Sequence, residues 1–264
     1  MKMYLPNDHT FVICAFGESR YLEDCINSLL KQTVKTSVIL STSTPNSFLE
    51  TLAKKYSFPL YVNQGEKGIS GDWNYALSCA ETELITLAHQ DDLYEPYYTE
   101  EMLKCINRAK DPIFFSSNYA ELRNNNVVYS NRILNIKKIM RIPMRVFPES
   151  IIARRLTLAF GDPICCPSVT YFRSVILNHP FQKGLLASLD WQQWEVLSKE
   201  KGSFVYCDYP LMFHRIHEES ETSRVINMYS RIDEDYRMYR KFWPEPVAKV
   251  LAKLYSSSEK SNSI

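Results

Sequence analysis

The feature that most constrains this chain is a short apolar run ending on two adjacent acids. It reads Leu84-Ile85-Thr86-Leu87-Ala88-His89-Gln90-Asp91-Asp92, followed by Leu93-Tyr94-Glu95-Pro96. The run has the length of a buried strand, and Pro96 stands where a proline opens a helix. Acids at the carboxyl end of a buried strand in an open α/β sheet lie where such sheets bind their ligands. Two neighbouring carboxylates repel each other unless a cation shares them, and hard oxygen donors suit Mg²⁺ or Mn²⁺. The same pair can also be a solvated turn capping the next helix. The rest of the chain must decide.

The first half alternates strand and helix. Phe11 to Ala15 reads as a buried strand and Phe16-Gly17-Glu18-Ser19 as a turn. Leu22, Cys25, Ile26, Leu29 and Leu30 then recur at helical spacing. Ser37 to Leu40 predicts a second strand, Phe48 to Tyr56 a helix, and Pro59 to Val62 a third strand. Asn63 to Gly71 reads as a loop and Asp72 to Ala80 as a helix leading to the acid-ended strand. This alternation predicts a Rossmann-like, mostly parallel α/β sheet covered by helices on both faces.

The second half is less regular. Pro112 to Ser117 predicts a strand, and Asn124-Asn125-Asn126 the turn of a hairpin between Tyr119–Leu122 and Val127–Tyr129. Arg132 to Arg155 alternates basic and apolar residues. It is either a face of snorkelling side chains or a surface for an anionic acceptor or anionic membrane. Leu185 to Ser198 is helical in pattern, Phe204-Val205-Tyr206 a short strand, and Ile226 to Tyr255 one or two helices broken at Pro244-Glu245-Pro246.

Composition removes several function classes. A net charge of +1 over 264 residues argues against nucleic acid as the main partner. Seven cysteines are scattered without metal-ligand spacing, and the adjacent Cys165-Cys166 suits neither a zinc knuckle nor a simple disulfide. The chain enters a strand at Thr10 rather than a signal-peptide pattern, and no apolar run is long enough to cross a bilayer. A cytoplasmic location follows as the expectation, with possible peripheral contact at the inner face of the membrane. There is no dinucleotide fingerprint, P-loop, nucleophile elbow or zinc-protease motif.

Five segments, in order, resemble glycosyltransferase family 2. Phe11 to Phe16 with Tyr21 to Thr33 is similar to its opening strand and the helix ending in S-L-L-x-Q. Gly68-Ile69-Ser70-Gly71-Asp72-Trp73-Asn74-Tyr75-Ala76-Leu77 resembles G-x-S-x-A-R-N-x-A-L. His89-Gln90-Asp91-Asp92 resembles the D-x-D-D metal motif, and Asp190-Trp191-Gln192-Gln193-Trp194 the D-W-x-x-W that carries a catalytic base. His214-Arg215-Ile216-His217 with Ser220-Glu221-Thr222-Ser223 resembles the closing Y-R-x-H-x-x-S-x-T. Three positions depart from the pattern. Ser41-Thr42-Ser43-Thr44 replace Asp-Asp-Gly after the second strand, His89 replaces an acid, and Trp73 replaces an arginine.

The resemblance implies a GT-A fold and inverting transfer from a nucleoside-diphosphate sugar, a UDP- or dTDP-sugar, to a saccharide or lipid-linked saccharide in surface polysaccharide synthesis. It implies Asp91, Asp92 and His217 as ligands of Mn²⁺ or Mg²⁺, and Asp190 as the base. Donor contacts would come from Ala15, Phe16, Glu18, Thr42, Ser43, Gly68, Asp72, Asn74 and Asp91. Trp191 and Trp194 either stack on sugar rings or belong to the core. The expected organisation is a transferase domain over 1–225, with its donor half to about 110, a helical extension over 226–255 and a disordered tail over 256–264. The rivals are a nucleotidyltransferase and a non-catalytic sugar-nucleotide or glycan-binding module on the same fold.

Overall fold

The computed structural model describes residues 2–217 and 231–260. The first half alternates as the sequence predicts: β1 (His9–Ala15), α1 (Leu22–Leu30), β2 (Ser37–Thr42), α2 (Ser47–Tyr56), β3 (Leu60–Val62), α3 (Ile69–Cys79) and β4 (Leu84–His89). The four strands pair in parallel in the order β3-β2-β1-β4. The direction of strand progression therefore reverses between β1 and β4, and the crevice beyond their carboxyl ends is where such sheets bind ligands.

Side chains along each strand alternate between two cores. Phe11, Ile13 and Ala15 of β1 and Leu84 and Ala88 of β4 face one core. The α1 residues Leu22, Cys25, Ile26 and Leu29 close it, joined by Met102, Leu103 and Ile106 of α4 (Tyr98–Arg108). Val12, Ile85 and Leu87 face the other, closed by Ala76 and Leu77 of α3. Helix ends follow local chemistry. Asn46 caps α2 by accepting from Leu49 N at 2.9 Å, and Ser57 ends it at φ 56°.

On the Phe11 face of β1 His9 is wholly buried, its ring nitrogens 3.0 Å from Thr36 Oγ1 and 2.8 Å from Thr86 Oγ1. Burial lowers its pKa to about 3. The unfolded chain takes up this proton near the ordinary value of 6.5, so stability falls as pH drops from 6.5 towards 3. On this basis His9 removes about 2 kcal/mol of stability between pH 7 and pH 5. Urea unfolding of His9→Gln is expected to show a flatter pH dependence by that amount; an unchanged slope would show that His9 is not held neutral.

The second half extends the sheet with mixed pairing. After β5 (Leu93–Tyr94) and α4 come β6 (Pro112–Arg123) and β7 (Asn126–Val128), then α5 (Arg132–Met140), α6 (Ile142–Val146) and α7 (Ile151–Leu158). Next are β8 (Val169–Phe172), α8 (Arg173–Ile176), α9 (Leu189–Leu197), β9 (Ser203–Ile216), α10 (Arg231–Tyr239) and α11 (Glu245–Lys260). The sheet runs β3-β2-β1-β4-β8-β6-β9-β5, with β7 off β6. β8 is antiparallel to both β4 and β6, and β9 lies parallel to β6. The predicted hairpin forms, with Asn124 and Asn125 both at positive φ (48° and 62°), as a two-residue hairpin turn requires.

Three expected elements have different bounds. β9 runs fourteen residues rather than three, because its register shifts against β6 between Ser117 and Tyr119 let it turn and continue. α3 starts at Ile69, inside the expected loop. α11 continues to Lys260, past the boundary expected at 256, and residues 261–264 lie outside the described residues. Ser220 to Ser223 of the closing motif also lie outside them. Among the described residues no helix is long and apolar enough to cross a membrane.

Candidate functional site

The site begins where β1 and β4 part. Gln90, just past β4, accepts from Phe16 N at 3.0 Å through Oε1 and donates to Phe16 O at 3.2 Å through Nε2. The two switch-point loops are thereby joined, and the Phe16 ring is left exposed at the rim. Ala15 is buried beneath it, and Glu18 is exposed on the same turn.

The two acids turn opposite ways. Asp92 is wholly buried; its Oδ1 accepts from Arg215 N at 2.8 Å and lies 3.1 Å from His214 Nδ1. Arg215 completes a lock. Its Nε donates to Asp91 O at 2.8 Å, Nη2 reaches Asp24 Oδ2 of α1 at 3.4 Å, and the guanidinium lies 4.3 Å from the Tyr21 ring centre. Asp92 therefore anchors the end of β9 to the turn after β4. Burial works against a charged His214, but the charge and hydrogen bond of Asp92 with the charge of Asp91 outweigh it and raise its pKa.

Asp91 faces the cleft. Its Oδ2 is 2.8 Å from His217 Nε2, and the His217 ring packs edge-on to Tyr21 with centroids 4.8 Å apart. Burial pushes the Asp91 carboxyl up, yet the His217 hydrogen bond and the nearby His89, His214 and His217 bring its pKa below the usual value. An ionised carboxylate is thus favoured here. Among the described residues no three His, Cys, Asp or Glu side chains converge in ligand geometry. Asp91 and His217 are the two cleft-facing side chains that would hold a divalent ion here. Asp92 turns its Oδ1 inward onto the backbone N–H of Arg215, while its Oδ2 is buried without a hydrogen-bond partner.

On the donor side, Asp72 of α3 joins two strand ends. Oδ2 accepts from Ser43 Oγ at 2.9 Å and Oδ1 from Asn63 Nδ2 at 2.8 Å. Thr42 Oγ1 accepts from Thr44 N at 3.0 Å, and Thr44 Oγ1 accepts from Gly17 N at 2.7 Å. Hydroxyls thus organise the edge where the family pattern has acids. Gly68, at φ 96°, precedes α3, and a Cβ on Gly71 would stand 2.5 Å from Glu66 O, so the 63–68 loop can close only on a glycine there. Val62, Asn63, Gly65, Glu66 and Tyr75 line an open cleft of about 520 Å³. Asn74 Nδ2 donates to Phe181 O and its Oδ1 accepts from Phe181 N, both at 2.9 Å. Its amide holds the loop at Phe181 while the residue also lines the cleft.

Asp190 opens α9, and its Oδ1 accepts from Trp191 N at 2.8 Å. The Glu234 carboxylate of α10 sets the approach to this helix, accepting from the backbone N–H groups of Leu186, Ala187 and Ser188 at 2.8–3.1 Å. The Asp190 charge is felt at His89, so the base candidate and the acid pair share one electrostatic neighbourhood. Trp191 and Trp194 are both core: Trp191 Nε1 donates to Leu158 O at 3.1 Å, and Trp194 packs on Phe114 and Tyr171.

Sequence reasoning missed Gln90, Tyr21, Lys137 and Glu234. Lys137, assigned to a surface stripe, turns inward, 5.7 Å from the Tyr119 ring centre. Burial opposes its charge, but Tyr119, Tyr255, Asp162 and Cys165 raise its pKa. Arg141 is also buried, Nη2 donating to Asn118 Oδ1 at 2.7 Å, and Arg145 pairs with Asp208. A sequence signal existed only in the spacing: Lys137 and Arg141 are one helical turn apart.

A parallel β3-β2-β1-β4 half, an acid at its switch point and a second half of mixed strands define the GT-A architecture. Two solved structures share it. The Staphylococcus aureus TarS 1-349 structure with UDP-GlcNAc superposes with a TM-score of 0.64 over 92% of this chain and 70% of that one, at 15% identity. The mannosyltransferase PcManGT of Pyrobaculum calidifontis, with GDP-Man and Mn²⁺, gives 0.65 over 96% and 70%, at 14% identity. The family model for glycosyl transferase family 2 matches residues 10–179, and the chain belongs to that family. The minor teichoic acid biosynthesis protein GgaB of Bacillus subtilis (strain 168) is 27% identical over 147 residues; the aligned region is 50% of this chain but 16% of GgaB.

Proposed function

We propose that this chain transfers a sugar from a UDP- or dTDP-sugar, with inversion, to a saccharide or lipid-linked saccharide of a teichoic-acid-type or related surface polymer. The observation that carries this reading is the Asp91–His217 pair at the switch point, with the Asp190 carboxylate close enough to be felt at His89. Support also comes from the nucleotide sugars in the two superposed structures and from the polymer named for the Bacillus relative.

The acceptor oxygen attacks the anomeric carbon, the bond to the diphosphate breaks with its electron pair leaving on phosphate oxygen, and the acceptor proton passes to Asp190. A divalent ion, when bound, offsets the charge of the departing diphosphate. Asp91 and His217 hold it, and Phe16, Glu18, Thr42, Ser43, Gly68 and Asp72 form the donor edge. Asp92 and Asn74 act behind them as supports.

The test is a thermal-shift panel of nucleoside diphosphates with and without Mn²⁺. UDP with Mn²⁺ is expected to stabilise the native chain, and Asp91→Asn to lose most of that gain at an unchanged starting Tm. An undiminished Mn²⁺-dependent shift in the variant would remove Asp91 from the site.

A peripheral membrane contact has its own observation. Ile139, Val146, Phe147 and Ile152 are exposed by 65%, 57%, 63% and 80% on α5, α6 and α7 and their connections. With Lys137 and Arg141 turned inward, Arg132 and Lys138 are the exposed basic residues of α5, and apolar contact supplies the larger part of this association. Cosedimentation with anionic vesicles is therefore expected to persist at high salt and to fall on Ile139→Ser with Phe147→Ser. No sedimentation of the native chain with anionic or neutral vesicles would make the patch an ordinary surface.

A further inference from the structure

Lys137 of α5 and Arg141 at its end lie one helical turn apart on the same face, a spacing at which like charges repel. Among the described residues neither has a carboxylate within ion-pair distance, although Arg145 and Arg155 further along pair with Asp208 and Glu195. Arg141 is 1% exposed, and its Nη1 and Nη2 donate to neutral oxygens, Pro163 O at 3.3 Å and Asn118 Oδ1 at 2.7 Å. Its Nε is buried without a hydrogen-bond partner. The guanidinium lies 5.1 Å from the Tyr206 ring centre, and Tyr206 Oη is likewise buried and unpartnered. Burying a cation without a counterion is unfavourable, and a second cation beside it makes it more so. Packing alone does not account for this pair.

Lys137 is the open member of the pair. It is only half-buried, with Nζ 5.7 Å from the Tyr119 ring centre. The Tyr119 ring stands edge-on to that of His214 with centroids 6.5 Å apart, and His214 Nδ1 lies 3.1 Å from Asp92 Oδ1. The ammonium is thus two side chains from the acids after β4. It comes from the β6 and β9 side of the sheet. The donor edge of Ser43, Asp72 and Asn63 lies at β2 and β3, across β4 in the strand order β3-β2-β1-β4-β8-β6-β9. A group bound at Lys137 therefore enters from the side opposite the donor.

We propose that Lys137 binds the acceptor, its ammonium pairing with a phosphodiester group of the chain being glycosylated, and that Arg141 behind it adds to the positive potential there. This deepens the transferase reading above and rests on it for the side from which the donor enters. Phosphodiesters join the repeats of a teichoic-acid-type polymer, so the acceptor carries such a charge beside each site of transfer. Asp91, Asp92 and Asp190 would repel an anionic chain from the reaction centre. A cation two side chains away offsets that repulsion and holds the chain in reach. An ammonium is well suited to this, being a compact point charge on a flexible stem.

The experiment titrates the full chain, without nucleotide, with tri(glycerol phosphate), trigalacturonate and maltotriose at one ionic strength. Native protein is expected to bind the phosphate oligomer at least about tenfold more tightly than either of the others. Lys137→Met keeps the length and apolar stem over Tyr119 but removes the charge. It is expected to weaken phosphate-oligomer binding about ten- to hundredfold, the usual weight of a hydrogen bond between charged groups. Its affinity for UDP with Mn²⁺ should stay native. Unchanged oligomer binding in Lys137→Met overturns the proposal, as does equal native affinity for the phosphate oligomer and maltotriose. Trigalacturonate bound as tightly as the phosphate oligomer overturns the assignment to phosphate. Weakened UDP binding in the variant would put the ammonium on the donor diphosphate and overturn the assignment to the acceptor. Should Lys137→Met fail to fold, Lys137→Gln is read in the same way, and the native comparison of the three oligomers decides in either case. Failure of the transferase reading shows separately, as no Mn²⁺-dependent UDP shift in the native chain while the phosphate oligomer still binds through Lys137.

Discussion

Asp190→Asn is expected to reduce transfer by about 10²- to 10⁴-fold, the contribution of a positioned general base. The variant isolates proton acceptance from structure. Asparagine keeps an oxygen for Trp191 N, so the first turn of α9 retains its contact. Helix position is further held by Glu234 on the three preceding N–H groups and by Trp191 and Trp194 in the core. Stability should change little. Nucleoside diphosphate affinity should also hold, because the residues assigned to the diphosphate come from β1, β4 and the chain after β9. Transfer rate and UDP affinity measured on one preparation give the answer. Transfer near the native rate would assign Asp190 to the helix terminus, leaving Asp162 and Glu195 as the remaining carboxylates of that region. Glu195 is the poorer candidate, since Arg155, Lys199 and Lys241 all pair with it.

How far the sequence could be read depended on how local each signal was. The β1-to-β4 alternation was legible because β1, β2 and β4 are buried along most of their length and α1 and α2 each show one apolar stripe. The same logic found the acid pair at a strand's carboxyl end. It could not separate Asp91 from Asp92. Adjacent residues in a turn point different ways, and what captures Asp92 is the backbone of Arg215, 123 positions later. The contact of Asn74 was hidden for a similar reason, its partner Phe181 lying 107 positions away. Lys137 looked like surface because a basic residue beside apolar ones has that pattern on any exposed helix. Its inward turn depends on Tyr119, a residue of β6. β8 was missed because four residues, Val169 to Phe172, give too short a run to mark a strand, and its antiparallel place between β4 and β6 follows from topology alone.

The contrast between the two acids gives the second large effect. Asp92→Ala leaves the Arg215 N–H and the His214 ring without their acceptor in a fully buried position. Removing one member of a buried charged pair costs about 3–5 kcal/mol. Arg215 also carries the links to Asp91 O, Asp24 and Tyr21, so the loss spreads along the lock between β9 and α1. Asp92→Asn should cost less, about 1–2 kcal/mol, because its amide oxygen can still accept from Arg215 N. Asp91→Asn predicts the reverse pattern, with unfolding free energy nearly native and the Mn²⁺-dependent UDP response lost. Urea unfolding of all three variants, paired with UDP thermal shifts on those that fold, separates the roles. If Asp92→Ala unfolded within about 1 kcal/mol of native while losing the Mn²⁺ response, Asp92 would have to be a ligand. The inward orientation set by Arg215 would then have to give way when the ion binds.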